Sequence, residues 1–256
     1  MHHSRLPGTQ RAALVVVLCA TAQFLFSQDS RSPKISTFAP ADDLVGQVDF
    51  YIERVEESLA DPADYDGAKQ SRTWKDSNTL AVLALMLARH DAEHPLKSSM
   101  PAMLKGAQAL AAAEDDVKRA QQALSAIKAA RAGTAAGGEG VKWEKVAALA
   151  ALMKQVPLVH AGLRRGVTPN RLRRLAKESA GQAATLSAIA EAAMLDDQYA
   201  KTPEKAAAWS AFCGQMRDAA GEVNSAVHAQ DQPRVDAGIK RLLESCDACH
   251  AEFRKQ

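Results

Sequence analysis

The sequence predicts an all-α protein built from two tandem four-helix-bundle-like repeats. Ala, Leu, Glu, Lys and Arg are abundant and aromatic residues make up only 5% of the chain, a composition that favours helices. Apolar residues recur at the spacing of one helix face, as in Val235, Ile239, Leu242 and Cys246. Thr202-Pro203-Glu204 has the form of an N-cap followed by Pro at the first helical position.

Residues 1–27 have the form of a secretory signal peptide. Arg5 and Arg11 precede the apolar run AALVVVLCATAQFLF, which is too short for a comfortable membrane span. Cleavage is expected after Ala22 or after Ser27, so we predict an exported, periplasmic protein without a membrane span in its mature form. Removing the two arginines equalises the 32 basic and 30 acidic residues. A chain near neutrality gives no indication of nucleic-acid binding.

The mature chain is expected to divide at a glycine-rich stretch. Residues 28–41 are predicted to form a flexible arm, and residues 132–140, within RAGTAAGGEG, a linker. The linker separates a helical repeat at 42–131 from a second helical repeat at 141–256.

Each repeat is expected to consist of helices joined by short turns. The first repeat is predicted to have helices near 42–60, 72–92 and 101–131, the last with a turn around 114–116. The second is predicted to have helices near 141–165, 170–195, 203–229 and 233–253. Pro157 is expected to kink the first helix of the second repeat.

The last predicted helix contains Cys246-Asp-Ala-Cys249-His250, a C-x-x-C-H pattern typical of covalent c-type haem attachment. Residues three and four apart share a helix face, so both cysteines and the histidine point the same way. Two thiols at this spacing can add to the vinyl groups of haem, and the imidazole can bind the iron. In the first repeat Ala126-Ile-Lys-Ala129-Ala130 falls in the corresponding place, so that repeat is expected to carry no covalent haem.

Other interpretations of the cysteines stay open. In an oxidising compartment Cys246 and Cys249 could form a disulfide within a structural or interaction module, although this leaves the adjacent His250 unexplained. A zinc site would need further Cys or His ligands, of which the second repeat has few. Cys213 is expected to be a small buried hydrophobe rather than a reactive thiol.

The remaining histidines are assigned to surfaces. His90 and His94 have the i, i+4 spacing of a metal-binding pair, but a solvated helix end before Pro95 is the favoured interpretation. His160 and His228 are predicted near helix ends and are likewise expected at the surface.

The second repeat resembles cytochrome c′, the family of four-helix-bundle c-type cytochromes with haem attached near the C-terminus. The resemblance covers about residues 141–254. Its most specific part is CDACHAEFR at 246–254, which is similar to the family ending C-x-x-C-H-x-x-[FY]-R. The segment AKTPEKAAAWSAF at 200–212 is similar to the opening of the family's third helix, and Leu152-Met153-Lys154 to the end of its first.

The resemblance implies one haem c per chain, and it implies a role for each matched residue. Cys246 and Cys249 would form the thioether bonds, and His250 would ligate the iron. Phe253 would pack near the macrocycle, and Arg254 would lie beside its solvent-exposed proximal face.

The resemblance also assigns the opposite side of the iron. Its register places Val146 there, and a branched hydrocarbon leaves the iron five-coordinate and open to NO or CO. Lys142 would lie near a haem propionate. A shift of register brings Met153 or Met216 to the iron instead, as in relatives that serve electron transfer.

The function implied is that of a carrier or binder rather than an enzyme. The chain would be an exported c-type cytochrome for one-electron transfer, small-gas binding or both, with a small redox protein or a gas as its partner. Family members are usually single bundles that pair as homodimers. The first repeat is therefore expected to pack on the second as an internal pseudo-partner, with a homodimer of whole chains as the alternative. Peroxidase activity has little support, because the sequence offers no distal acid–base pair.

Overall fold

A computed structural model shows that the described part of the chain is all-α, as predicted. It describes residues 1–2, 34–135, 140–196, 198 and 200–254. Within these residues there are eight α-helices and no strands. The helices are α1 Ala41–Leu59, α2 Gly67–Ala88, α3 Met100–Ala111, α4 Val117–Arg131, α5 Leu149–Gly166, α6 Ala176–Ala193, α7 Pro203–His228 and α8 Gln232–Phe253.

Several predicted segments fall largely or partly outside the described residues. These are the signal peptide from residue 3 onward, residues 28–33 of the arm, positions 136–139 of the linker, and positions 197, 199 and 255–256 of the second repeat. Among the described helices, none combines the length and the hydropathy that a bilayer-crossing segment requires.

Polar side chains cap the N-termini of four helices. The predicted N-cap at Thr202 is confirmed, since its Oγ1 accepts a hydrogen bond of 3.3 Å from the Lys205 amide and Pro203 follows it. The other three caps are the aspartates Asp66, Asp116 and Asp231. Each cap satisfies an amide that has no partner within the helix.

Helix α5 begins later than predicted. A helix was expected from Val141, but α5 starts at Leu149 and the residues before it are not helical. Side chains of the first half hold this segment, because the Ala148 amide donates to Asn78 Oδ1 at 2.7 Å and Arg89 donates to the Val141 carbonyl at 3.3 Å. These tertiary hydrogen bonds replace those that an earlier helical turn would have made.

Successive helices pack against each other within each half of the chain. In the first half, α1 contacts α2, α2 contacts α3, α3 contacts α4 and α4 returns to α1. In the second half, α5 contacts α6, α6 contacts α7 and α7 contacts α8. The halves meet where α1 and α2 pack against α5 and α6, and from residue 34 onward the described chain forms one compact unit.

Two buried hydrogen bonds and one partly exposed hydrogen bond cross the contact between the halves. Gln155 on α5 donates its amide to the Tyr51 hydroxyl on α1 at 3.0 Å. Asp43 on α1 accepts hydrogen bonds from Asn224 Nδ2 at 2.6 Å and from His228 Nε2 at 2.8 Å, both on α7. Because buried polar groups are costly without partners, these bonds specify how the halves align.

The described end of the predicted arm is packed rather than flexible. Ile35, Phe38 and Ala39 are buried. Phe38 lies so close to α7 that a Cβ at Gly221 would come within 3.0 Å of the Phe38 Cβ, and the Arg217 guanidinium lies 5.3 Å above the Phe38 ring. The segment before α1 therefore crosses to the second half and docks on α7.

The predicted solvated placement of His90 is wrong. His90 is only 2% exposed. Its Nδ1 accepts from the Ala92 amide at 3.0 Å, so the proton resides on Nε2, which donates to the Ala39 carbonyl at 3.0 Å. His94 is half-buried and pairs through Nε2 with the Leu87 carbonyl at 2.8 Å. Both rings serve to tie the end of α2 to its surroundings.

Candidate functional site

The C-x-x-C-H motif lies in the last turns of α8, beside a cavity of about 250 Å³. The side chains of Cys246 and Cys249 are half-buried, and His250 is exposed at the edge. Helices α5, α6, α7 and α8 all contribute to the wall, which is mostly apolar. The residues that line it include Met153, Val156, Pro157, His160, Ala190, Ala193, Trp209, Phe212, Cys213, Met216 and Leu243.

Aromatic packing fixes the end of α8 next to this cavity. Trp209 donates its indole N–H to the Ala193 carbonyl at 2.8 Å, which joins α7 to α6. Phe253 is buried and packs edge-on against Trp209, with ring centroids 5.2 Å apart, and against Phe212 at 6.2 Å. The position of the motif therefore depends on a three-ring cluster at the end of the last helix.

The three described cysteines are free thiols. Burial raises the pKa of Cys213 to about 12 and that of Cys249 to about 11, and it also raises the pKa of Cys246. All three are therefore protonated at neutral pH in this structure. The expectation that Cys213 is a buried hydrophobe is confirmed, as it is 7% exposed.

His160 was expected at the surface, but the structure shows it half-buried. His160 lines the cavity from α5, and its Nε2 is buried with no hydrogen-bond partner among the described residues. Burial, with a smaller contribution from Arg164, lowers the pKa of His160, so its imidazole is neutral near pH 7. A signal was present in the sequence, since 153, 156, 157 and 160 follow the spacing of one helix face.

The structure does not bring Val146 or Lys142 to this cavity. Val146 precedes α5 and packs against the core of the first half, while Lys142 is exposed. The late start of α5 explains the difference, since the expected alignment counted both residues as helical. Arg254 is exposed directly after α8. Met153 and Met216, the alternatives for the distal side, both line the cavity.

The residues around the cavity meet the chemical requirements of a covalent haem. One wall presents two unpaired thiols next to an exposed imidazole, and the other walls are largely apolar. The cavity is smaller than the roughly 300–1,000 Å³ usual for cofactor-sized sites, so a macrocycle needs it to widen. In the described residues α5 and α8 are not in extensive contact with each other.

Within the described residues there is no group of three or more His, Cys, Asp or Glu side chains arranged to hold a metal ion. The further ligands that a zinc site at the cysteines would need are not gathered there. No family model, curated protein or solved structure matches this chain. The similarity to cytochrome c′ therefore depends on the sequence motifs alone.

Proposed function

We propose that this chain is an exported c-type cytochrome whose second half is a cytochrome c′-like bundle with one covalent haem. The observation that carries the proposal is the placement of a C-x-x-C-H motif on the wall of an apolar cavity lined by four helices. When bound, haem supplies a reversible one-electron iron couple, and its iron can also bind a small gas where a coordination position is left open. The role is that of a carrier or binder, with a small redox protein or a gas such as NO or CO as partner.

The chain's own residues anchor and shield the cofactor in this proposal. Cys246 and Cys249 provide the thioether sulfurs, and His250 provides the proximal nitrogen. The Trp209–Phe253 contact holds the end of α8 in place, so that these three groups keep a common orientation. The apolar walls exclude water, and the low polarity around an iron site is one of the means by which a protein sets its potential.

We further propose that the first half is a haem-free pseudo-partner and that the two halves are tandem bundles. The packing of α1 and α2 on α5 and α6 supports this, as does a core that continues from the first half into Leu152 and Ile189. Ala126 and Ala129 stand in the first half where the cysteines stand in the second. A single haem and a monomeric chain on sizing chromatography are the expected results.

The test is to express the full chain in a host that has periplasmic haem-attachment machinery. Haem staining after denaturing electrophoresis should reveal a stained band, because only a thioether-bound haem survives denaturation. Intact-mass measurement should give one added haem. The C246S/C249S double variant should lose the stain completely, and C213S, which removes a third thiol from the same cavity, should keep it.

The same experiment separates the proposal from its alternative. An exported chain of bare mass with Cys246 joined to Cys249 would identify a disulfide-containing structural or interaction module. Recovery of the stained protein in the periplasmic fraction is the expected outcome for localisation.

A further inference from the structure

The side chain of His160 lines the cavity from α5, and the two thiols line it from α8. His160 on α5 and the Cys246–Cys249 pair on α8 line the same space, while the two helices are not in extensive contact in the described residues. The cavity therefore lies between them. Nε2 of His160 is buried and, in the described part of the chain, has no hydrogen-bond partner.

A buried nitrogen of this kind needs an explanation. Nearly all buried side-chain nitrogens in native proteins have a hydrogen-bond partner or a ligand, because burial removes their water. Apolar side chains form most of the surrounding wall, including Val156 and Pro157, and neither offers a donor or an acceptor to the ring. The lone pair of a neutral imidazole is well suited to a metal ion that enters the cavity.

We propose that His160 would give the haem iron a second imidazole nitrogen in addition to that of His250, an inference that rests on the proposed function. With two imidazole ligands the iron would be low-spin and would have no open position for a gas. Of the two roles in the proposed function, one-electron transfer would then remain. The lowered pKa of His160 agrees with this, since it keeps the ring neutral and its lone pair available.

The two methionines in the cavity are weaker candidates for the same position. Met153 and Met216 both line the space. A thioether sulfur is only a weak acceptor and packs in an apolar wall without a partner. A buried imidazole nitrogen, by contrast, is costly without a hydrogen-bond partner or a ligand. Binding to iron would therefore stabilise His160 more than it would stabilise either methionine.

Optical and electron paramagnetic resonance spectra of the purified holoprotein test the inference. We expect low-spin ferric iron with a bis-imidazole signature and a ferrous form that does not bind CO at low pressure. H160A should become high-spin and should bind CO, and added imidazole should restore the low-spin spectrum. A high-spin wild type, or a low-spin spectrum that persists in H160A, would overturn the inference and leave the covalent haem in place.

Further variants test whether a residue other than His160 binds the iron. H94A removes a histidine from the first half and should leave the spectrum unchanged. If M153L or M216L abolishes the low-spin signal and H160A does not, a methionine is the ligand and the inference is wrong. Should H160A fail to accumulate, H160M provides the same test, because a thioether ligand gives a different charge-transfer band and raises the reduction potential. A chain with no haem spectrum at all contradicts the proposed function itself.

Discussion

Each half of the molecule has four helices that pack in chain order. The halves differ in whether their first and last helices contact each other. In the first half α1 packs directly on α4, whereas in the described residues α5 and α8 have no comparable contact and a cavity lies between them. The helices also differ in length. Helix α3 has 12 residues and α4 has 15, while α7 has 26 and α8 has 22. The additional length in the second half supports the ring cluster and the C-x-x-C-H motif.

The cores of the two halves differ in the size of their side chains. Large apolar side chains that are fully buried are more frequent in the first half of the described chain, although Leu163, Leu186 and Ile189 are also fully buried in the second half. On α6, by contrast, most of the buried residues are Ala, Gly, Ser and Thr. The first half thus has more large side chains in its interior, and in the second half an apolar cavity borders the helix that carries the C-x-x-C-H motif. This difference agrees with the proposal that the first half is a structural partner of the second half, in whose cavity the proposed haem would bind.

The largest effect is expected from loss of the proposed haem. In C246S/C249S we expect amides of α8 to exchange with solvent at least tenfold faster than in the haem-bearing wild type, because the proposed cofactor would no longer fill the cavity. Amides of α2 should keep their protection, since α2 is buried in the first half. Hydrogen exchange followed by mass spectrometry measures both. Equal acceleration in the two halves would contradict a self-sufficient first half.

The next effect is on the ring cluster. Trp209→Ala removes a buried ring, its contact with Phe253 and its hydrogen bond to Ala193, and should cost about 3–5 kcal/mol of unfolding free energy. Urea unfolding followed by circular dichroism measures this. The control is Leu158→Ala on α5, where the side chain is 49% exposed and the cost should stay below about 1 kcal/mol. Equal costs would exclude a special role for the cluster.

A smaller effect is expected at the contact between the halves. Asp43→Ala deprives Asn224 and His228 of their shared acceptor and should cost about 1–3 kcal/mol. The neighbouring Asp42 is exposed, so Asp42→Ala should change stability by only a few tenths of a kcal/mol through the helix dipole.

Chemical unfolding measured by fluorescence and by circular dichroism should give coincident transitions in the wild type. Separate transitions there would show that the halves unfold independently.

The smallest effect is a dependence of stability on pH. Burial raises the pKa of Asp76 despite the opposing effect of Arg54, whose Nε lies 3.0 Å from the carboxylate. The unfolded chain therefore loses this proton at a lower pH than the folded chain. Stability from Asp76 is full below the ordinary pKa of 3.8 and falls as pH rises through the raised folded value. Asp76→Asn should make the unfolding free energy depend less on pH between the ordinary pKa of this carboxyl and its raised value in the folded chain. Chemical unfolding at a series of pH values measures this, and an unchanged dependence on pH would contradict a raised pKa for Asp76.

Local signals in the sequence were sufficient for the helical class and for the motif-bearing helix. The cap at Thr202, the proline after it and the apolar spacing up to Phe253 are all contained within a few neighbouring residues. Such features depend on short-range interactions, which a single sequence contains in full.

The features that sequence analysis missed depend on distant residues. The late start of α5 results from hydrogen bonds to Asn78 and Arg89, which lie far earlier in the chain. His90 is buried by the segment before α1, and His160 is half-buried in the wall of the cavity. Periodicity shows which face of a helix is apolar, but it does not show which element covers that face.

The docking of Phe38 on α7 has a consequence for how the molecule matures. The site beside Gly221 comes from the last quarter of the sequence, so it is translated long after Phe38 itself. The N-terminal segment must wait until nearly the whole polypeptide is available, and contacts of such long sequence separation are slow to form. Docking of the segment before α1 should therefore be a late event in folding. In chains that end before α7, this segment should remain accessible to proteases.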